Sequence, residues 1–136
     1  MPDERNVSFW RHQFPAIAWA GVIFILSSLP GAFFTIPTRL PVDKAFHAGI
    51  FFIFCLLLNR AFINQTRLLT LSRYRLLISF LIVVAYGISD EFHQTFVPGR
   101  TPDFADALAD SIGGLLGILY LFFLTRFRSM QEAKSV

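Results

Sequence analysis

No charged side chain stands between Arg11 and Arg39, and the chain returns to apolar stretches three more times before it ends. An α-helix rises about 1.5 Å per residue, so about 20 apolar residues cross a hydrocarbon core of about 30 Å. With 54% of its 136 residues hydrophobic, only 15% charged and a mean hydropathy of +0.56, the chain has too few polar residues to clothe a soluble domain. These features predict one all-α domain, a polytopic membrane protein whose first partner is the lipid bilayer. The net charge of +3 is small, and in such a chain basic residues set topology, so no nucleic-acid partner is expected. Cys55 is the only cysteine, which excludes an intrachain disulfide.

Four spans are expected. The first covers about 13–33, closed by Pro30 and Pro37. Its charged prelude and the following SSLPGA have the order of a secretory signal, but the run is too long and too aromatic for one, so an uncleaved helix is expected. The second covers 45–63 and the third 76–97, with the polar stretch NQTRLLTLSRYR between them. PGRTP then breaks the chain. Pro98-Gly99 suits the centre of a type II turn, and Thr101-Pro102 offers an N-cap followed by proline, opening a fourth helix over 102–126. Residues 1–128 thus make a four-helix transmembrane bundle, and 129–136 a short cytoplasmic tail.

Nine of the twelve basic residues gather on one side: Arg5, Arg11, Arg60, Arg67, Arg73, Arg75, Arg126, Arg128 and Lys134. Arg39, Lys44 and Arg100 stand on the other. The positive-inside rule puts both termini and the central loop in the cytoplasm.

The acids stand opposite. Ser89 to Asp110 holds five of the nine carboxylates. Counted from the cytoplasmic arginines, His47, Asp90 and Asp110 lie about 20–24 Å along their helices, short of the outer boundary of the bilayer. Ionised groups at that depth turn away from lipid. Helical spacing allows it: Asp103, Asp106, Asp110, Gly113 and Gly117 share a stripe of about 80°. Gly87, Asp90, Glu91 and Gln94 share a face of about 100°, and Asp43, Lys44 and His47 a similar arc. Gly113 and Gly117 form a small-xxx-small pair for close helix packing beneath the acids. Six outward carboxylates face three cations, an excess that requires bound protons, a cation or a cationic ligand. Arg100 is expected to pair with Asp103 or Asp106, and Lys44 with Asp43 or Glu91.

Four stretches, DKAFH (43–47), DEFHQ (90–94), PGR (98–100) and DFADALADSIGGLLG (103–117), together resemble the VanZ-like family of small bacterial integral membrane proteins. In that family's terms they are a D-K-x-x-H element, an E-x-x-Q element, an R-x-x-D-x-x-D stretch and a final polar residue followed by glycines. Ser27-Ser28 also fits. The chain departs at Asp110, where many members carry Asn, and so adds a negative charge. The resemblance implies residence in the bacterial cytoplasmic membrane and a connection with resistance to the glycopeptide teicoplanin. It implies no particular reaction.

Four functions stay open. An enzyme acting on a lipid or cell-wall precursor headgroup would use Glu91 or Asp90 as general base with His47, while Lys44 and Arg100 hold anionic groups. Asp43, Gln94, Asp103, Asp106 and Asp110 would line its substrate site. The carboxylates suit a hard divalent cation, although no tight ligand motif specifies a metal or other cofactor. A binding module would screen an amphiphile such as a lipid-linked precursor or lipoglycopeptide without chemistry. A proton-linked permease would need oligomers, and the oligomeric state is not legible in the sequence. Buried polar side chains also serve simply to tie helices together, but so many at one depth favour a site. His12 and His93 are expected at interfaces and not in that site. Phe51, Phe52 and Phe54 are expected in packing or lipid contact.

Overall fold

The computed structural model describes residues 9–31, 42–65 and 69–134. Arg5, Pro37, Arg39, Arg67 and the expected end of the first span at 32–33 lie outside the described residues. Everything regular within them is helical. A π-helical turn, Phe9–Gln13, leads into α1 (Phe14–Ser28); α2 spans Val42–Ile63, α3 Leu69–Arg73, α4 Arg75–Gln94 and α5 Phe104–Lys134. Of these, α2, α4 and α5 are long and apolar enough to cross a membrane.

Local chemistry sets the helix ends. Leu29 precedes Pro30, whose ring disfavours helical backbone before it, and Leu29 is extended (ψ 135°), so α1 stops at Ser28. At 15 residues α1 rises about 22 Å, shorter than the expected first span. The α2 helix begins at Val42 and not at Ala45, which puts Asp43 and Lys44 in its first turn. The α4 helix ends at Gln94, three residues before the expected limit. Beyond it, Arg100 N–H donates to Val97 O at 3.1 Å and Gly99 takes φ 73°, the left-handed conformation that a type II turn requires at this position.

The start of α5 differs from the sequence expectation. Asp103, and not Thr101, caps the helix: its Oδ1 accepts from Ala105 N–H at 2.8 Å, and the first helical residue is Phe104. The far end differs too. Residues 129–134 continue the helix to Lys134, where a short tail was expected after Arg128.

The bundle is apolar on the outside and partly polar within. Exposed side chains include Ile25 (62%), Leu77 (57%), Ile88 (59%) and Phe123 (54%), whereas Asp90, Glu91, Gln94 and Asp110 are buried. That inverts the soluble pattern and suits a lipid solvent. The apolar core is centred on Phe51, Phe54, Cys55, Leu58 and Val83, with Ala16 and Ile23 from α1. Tyr86 packs its ring 5.3 Å from Phe54 and donates its hydroxyl to Ala20 O at 2.7 Å, tying α4 to α1. Trp19 Nε1 donates to Ile50 O at 3.1 Å, tying α1 to α2.

The largest interface joins α2 to α5. Gly113 and Gly117 make it: a Cβ at Gly113 would collide with the Ala48 carbonyl, and one at Gly117 would stand 3.0 Å from Cys55 Cβ. Gly114 does the same toward α4, where a Cβ would lie 2.6 Å from Val83 Cγ1. Three backbones are thereby drawn together directly below the acids.

Candidate functional site

The acidic ends of α2, α4 and α5 meet at one end of the bundle. At the other end Arg60 Nη2 reaches Arg11 O at 3.2 Å. The polar groups fall into two layers.

The outer layer is built on Lys44. Its ammonium meets Asp103 Oδ2 at 2.7 Å, Asp43 Oδ2 at 3.4 Å and Asp106 Oδ1 in a very short contact. Lys44 and Asp106 are largely buried; Asp103 is half-exposed and Asp43 mostly exposed. The Lys44 ammonium and the Ala105 N–H hold the Asp103 carboxyl below the usual carboxylate range. Of the partners expected for Lys44, Asp43 is in contact, while Asp103 and Asp106 reach it from across the α2–α5 interface.

The inner layer is buried. His47 Nδ1 lies 3.0 Å from Asp110 Oδ1, and Nε2 lies 4.0 Å from Asp106 Oδ2. Gln94 Nε2 donates to Asp90 Oδ2 and to Glu91 Oε1, each at 3.2 Å. Asp103 N–H donates to Glu91 Oε2 at 2.8 Å, so Glu91 is oriented from both sides. Asp90, Glu91, Gln94 and Asp110 are 6%, 7%, 4% and 0% exposed, and no Lys or Arg forms an ion pair with any of the three acids among the described residues. One ligand atom each from His47, Glu91 and Asp110 lies within 4.8 Å of the others.

Arg100 is placed otherwise than expected. Its Nε donates to Leu29 O and its Nη2 to Leu26 O, each at 3.2 Å, so the guanidinium closes the carbonyl end of α1. Gly31 N–H adds a bond to Pro98 O at 3.3 Å. His93, 100° round the helix from Gln94, points away from the acids: its Nε2 lies 3.0 Å from Ser28 Oγ and its ring centroid lies 4.7 Å from that of Phe24, the planes tilted by 34°.

Sequence reasoning placed Gly87 on the polar face without assigning it a role. A Cβ there would stand 2.9 Å from Asp110 Oδ2, so the missing side chain is what admits the carboxylate. The signal was present as a glycine one turn before Glu91, but its partner on another helix was not.

Among the described residues, helices alone, three of them of membrane length, and a buried polar cluster drawn from those three define a class, that of helical proteins able to span a membrane around a polar centre. The VanZ/LLP1 family model matches residues 7–125, and the chain belongs to that family. Comparison with curated proteins and with solved structures returned no match.

Proposed function

We propose that this is a multi-pass protein of the bacterial cytoplasmic membrane, with four crossing helices over residues 1–128 and both termini cytoplasmic, that holds the polar headgroup of an amphiphilic envelope component in an outward-facing acidic site. The observation that carries this reading is the two-layered cluster of Lys44, Asp106, His47, Glu91 and Asp110, gathered from three helices inside an apolar sheath. Charged groups withdrawn from lipid and collected at one depth are expensive to maintain for packing alone. A ligand with an apolar tail and a polar head matches both surfaces. Lipid-linked cell-wall precursors and lipoglycopeptides share that construction, which connects the site to the teicoplanin resistance associated with the family.

A second reading, catalysis on that headgroup, is favoured by the His47–Asp110 contact. An imidazole oriented by a carboxylate beside a second acid, Glu91, has the makings of a general base.

Native mass spectrometry of the detergent-solubilised protein tests the binding reading. Wild type should retain an envelope lipid, and Asp106→Asn should lose it. Equal retention by both would sink the proposal.

A further inference from the structure

Asp110 is completely buried, and half of its carboxylate lacks a partner. Oδ1 meets His47 Nδ1 at 3.0 Å, but no hydrogen-bond donor among the described residues reaches Oδ2. A buried carboxylate oxygen left so is destabilising unless a positive charge compensates it. Lys44 is spent on Asp43, Asp103 and Asp106, and no Lys or Arg contacts the inner acids among the described residues.

The donors around Asp110 are arranged to take such a charge. His47 comes from α2, Glu91 from α4 and Asp110 from α5, and one ligand atom from each lies within 4.8 Å of the other two. An ion with bonds of about 2.0–2.6 Å fits between atoms no more than about 5 Å apart. Glu91 keeps a lone pair free on each oxygen, since Gln94 uses one site on Oε1 and Asp103 N–H one on Oε2. These two bonds hold the carboxylate in place as outer partners of a metal ligand do. Gly87 leaves the space that Asp110 occupies.

We propose that His47, Glu91 and Asp110 form a binding site for one divalent transition-metal ion, Zn²⁺ or Mn²⁺, at the floor of the acidic cluster. One imidazole and two carboxylates make a nitrogen-and-oxygen donor set. That set suits these ions better than Ca²⁺ or Mg²⁺, which prefer oxygen alone, or Cu⁺, which prefers thiolate. Three protein donors leave coordination positions open to water or to a ligand, the arrangement of reactive metal sites and not of purely structural ones. The ion also relieves the negative excess that Lys44 leaves in the inner layer. The metal site does not depend on the lipid proposal.

Metal content decides it. The full chain, solubilised in detergent and stripped with a chelator, is loaded with Zn²⁺ or Mn²⁺, passed through gel filtration and assayed by plasma mass spectrometry. About one equivalent should remain per chain, with Mg²⁺ and Ca²⁺ retained at about a tenth of that or less. His47→Ala and Asp110→Asn should each weaken retention by about tenfold or more, while His93→Ala, a histidine outside the cluster, should leave it unchanged. Should a variant fail to fold, wild type alone still answers: Zn²⁺ should raise its melting temperature and EDTA should reverse the rise. Wild type holding no stoichiometric metal, or His47→Ala and Asp110→Asn holding as much as wild type, overturns the site. Lipid retained by a protein that binds no metal refutes the metal site alone, and metal bound without lipid refutes only the headgroup proposal.

Discussion

Replacing Lys44 by Met keeps most of the apolar stem and removes only the ammonium, leaving three carboxylates without their common cation. Asp43 and Asp103 are well exposed, so water screens them and they are left out of the magnitude. Asp106 is different: its side chain is 15% exposed, and that of Lys44 is 29%. Hydrogen bonds between charged groups contribute about 1.5–3 kcal/mol, so Lys44→Met should cost about 2 kcal/mol. For a chain of this size that lowers the melting temperature by about 4–8 °C. Asp106→Asn in the same background removes the stranded charge and should recover part of the loss, giving a coupling of about 1 kcal/mol or more in a double-mutant cycle. Thermal melts in one detergent at constant ionic strength supply all four corners. Additive losses would show that Lys44 and Asp106 act separately and would refute the ion-pair core of the outer layer.

Gly113→Ala should destabilise by about 1–3 kcal/mol, because the new methyl meets the Ala48 carbonyl, whereas Gly49→Ala, with nothing within 4 Å, should be nearly neutral or slightly stabilising; paired melts compare them. Arg100→Ala strips two donors from the end of α1, so amide exchange should quicken near Leu29 while the Lys44 network keeps its stability; unchanged exchange would deny Arg100 its capping role. Glu91→Gln removes charge and base and turns one oxygen that accepts from Gln94 or from the Asp103 N–H into a donor, so the protein should insert and lose about 1 kcal/mol of stability while complementation of a deletion strain under envelope stress collapses; activity that survives would exclude Glu91 as a base. Single cysteines at Asn64 and Thr101, in a Cys55→Ala background, should label from opposite sides of intact cells, and labelling of both from outside would reject the proposed topology.

Much of the molecule is determined by quantities that run along the chain. Apolar length specified helices able to cross a membrane at α2, α4 and α5. The fixed rotation of a helix put Asp90 and Glu91 on one face of α4 and Asp106 and Asp110 on one face of α5. Small side chains at Gly113 and Gly117 marked where a neighbour approaches. Pairing across helices is another matter, because it depends on how each helix is rotated against the next, which no single-helix periodicity contains. Thus Lys44 reaches Asp103 and Asp106 on α5, while Glu91 accepts from Gln94 and the Asp103 backbone. Arg100 closes α1 because the turn at Gly99 docks beside Leu29, a contact between segments about seventy residues apart. Helix ends were likewise decided by geometry: a capping side chain at Asp103 displaced the boundary that Thr101-Pro102 suggested. The seat of Asp110 against Gly87, with His47 and Glu91 closing round it, exists only once three backbones come together. Composition and spacing set which helix faces carry the charges, and tertiary packing decides which charges meet.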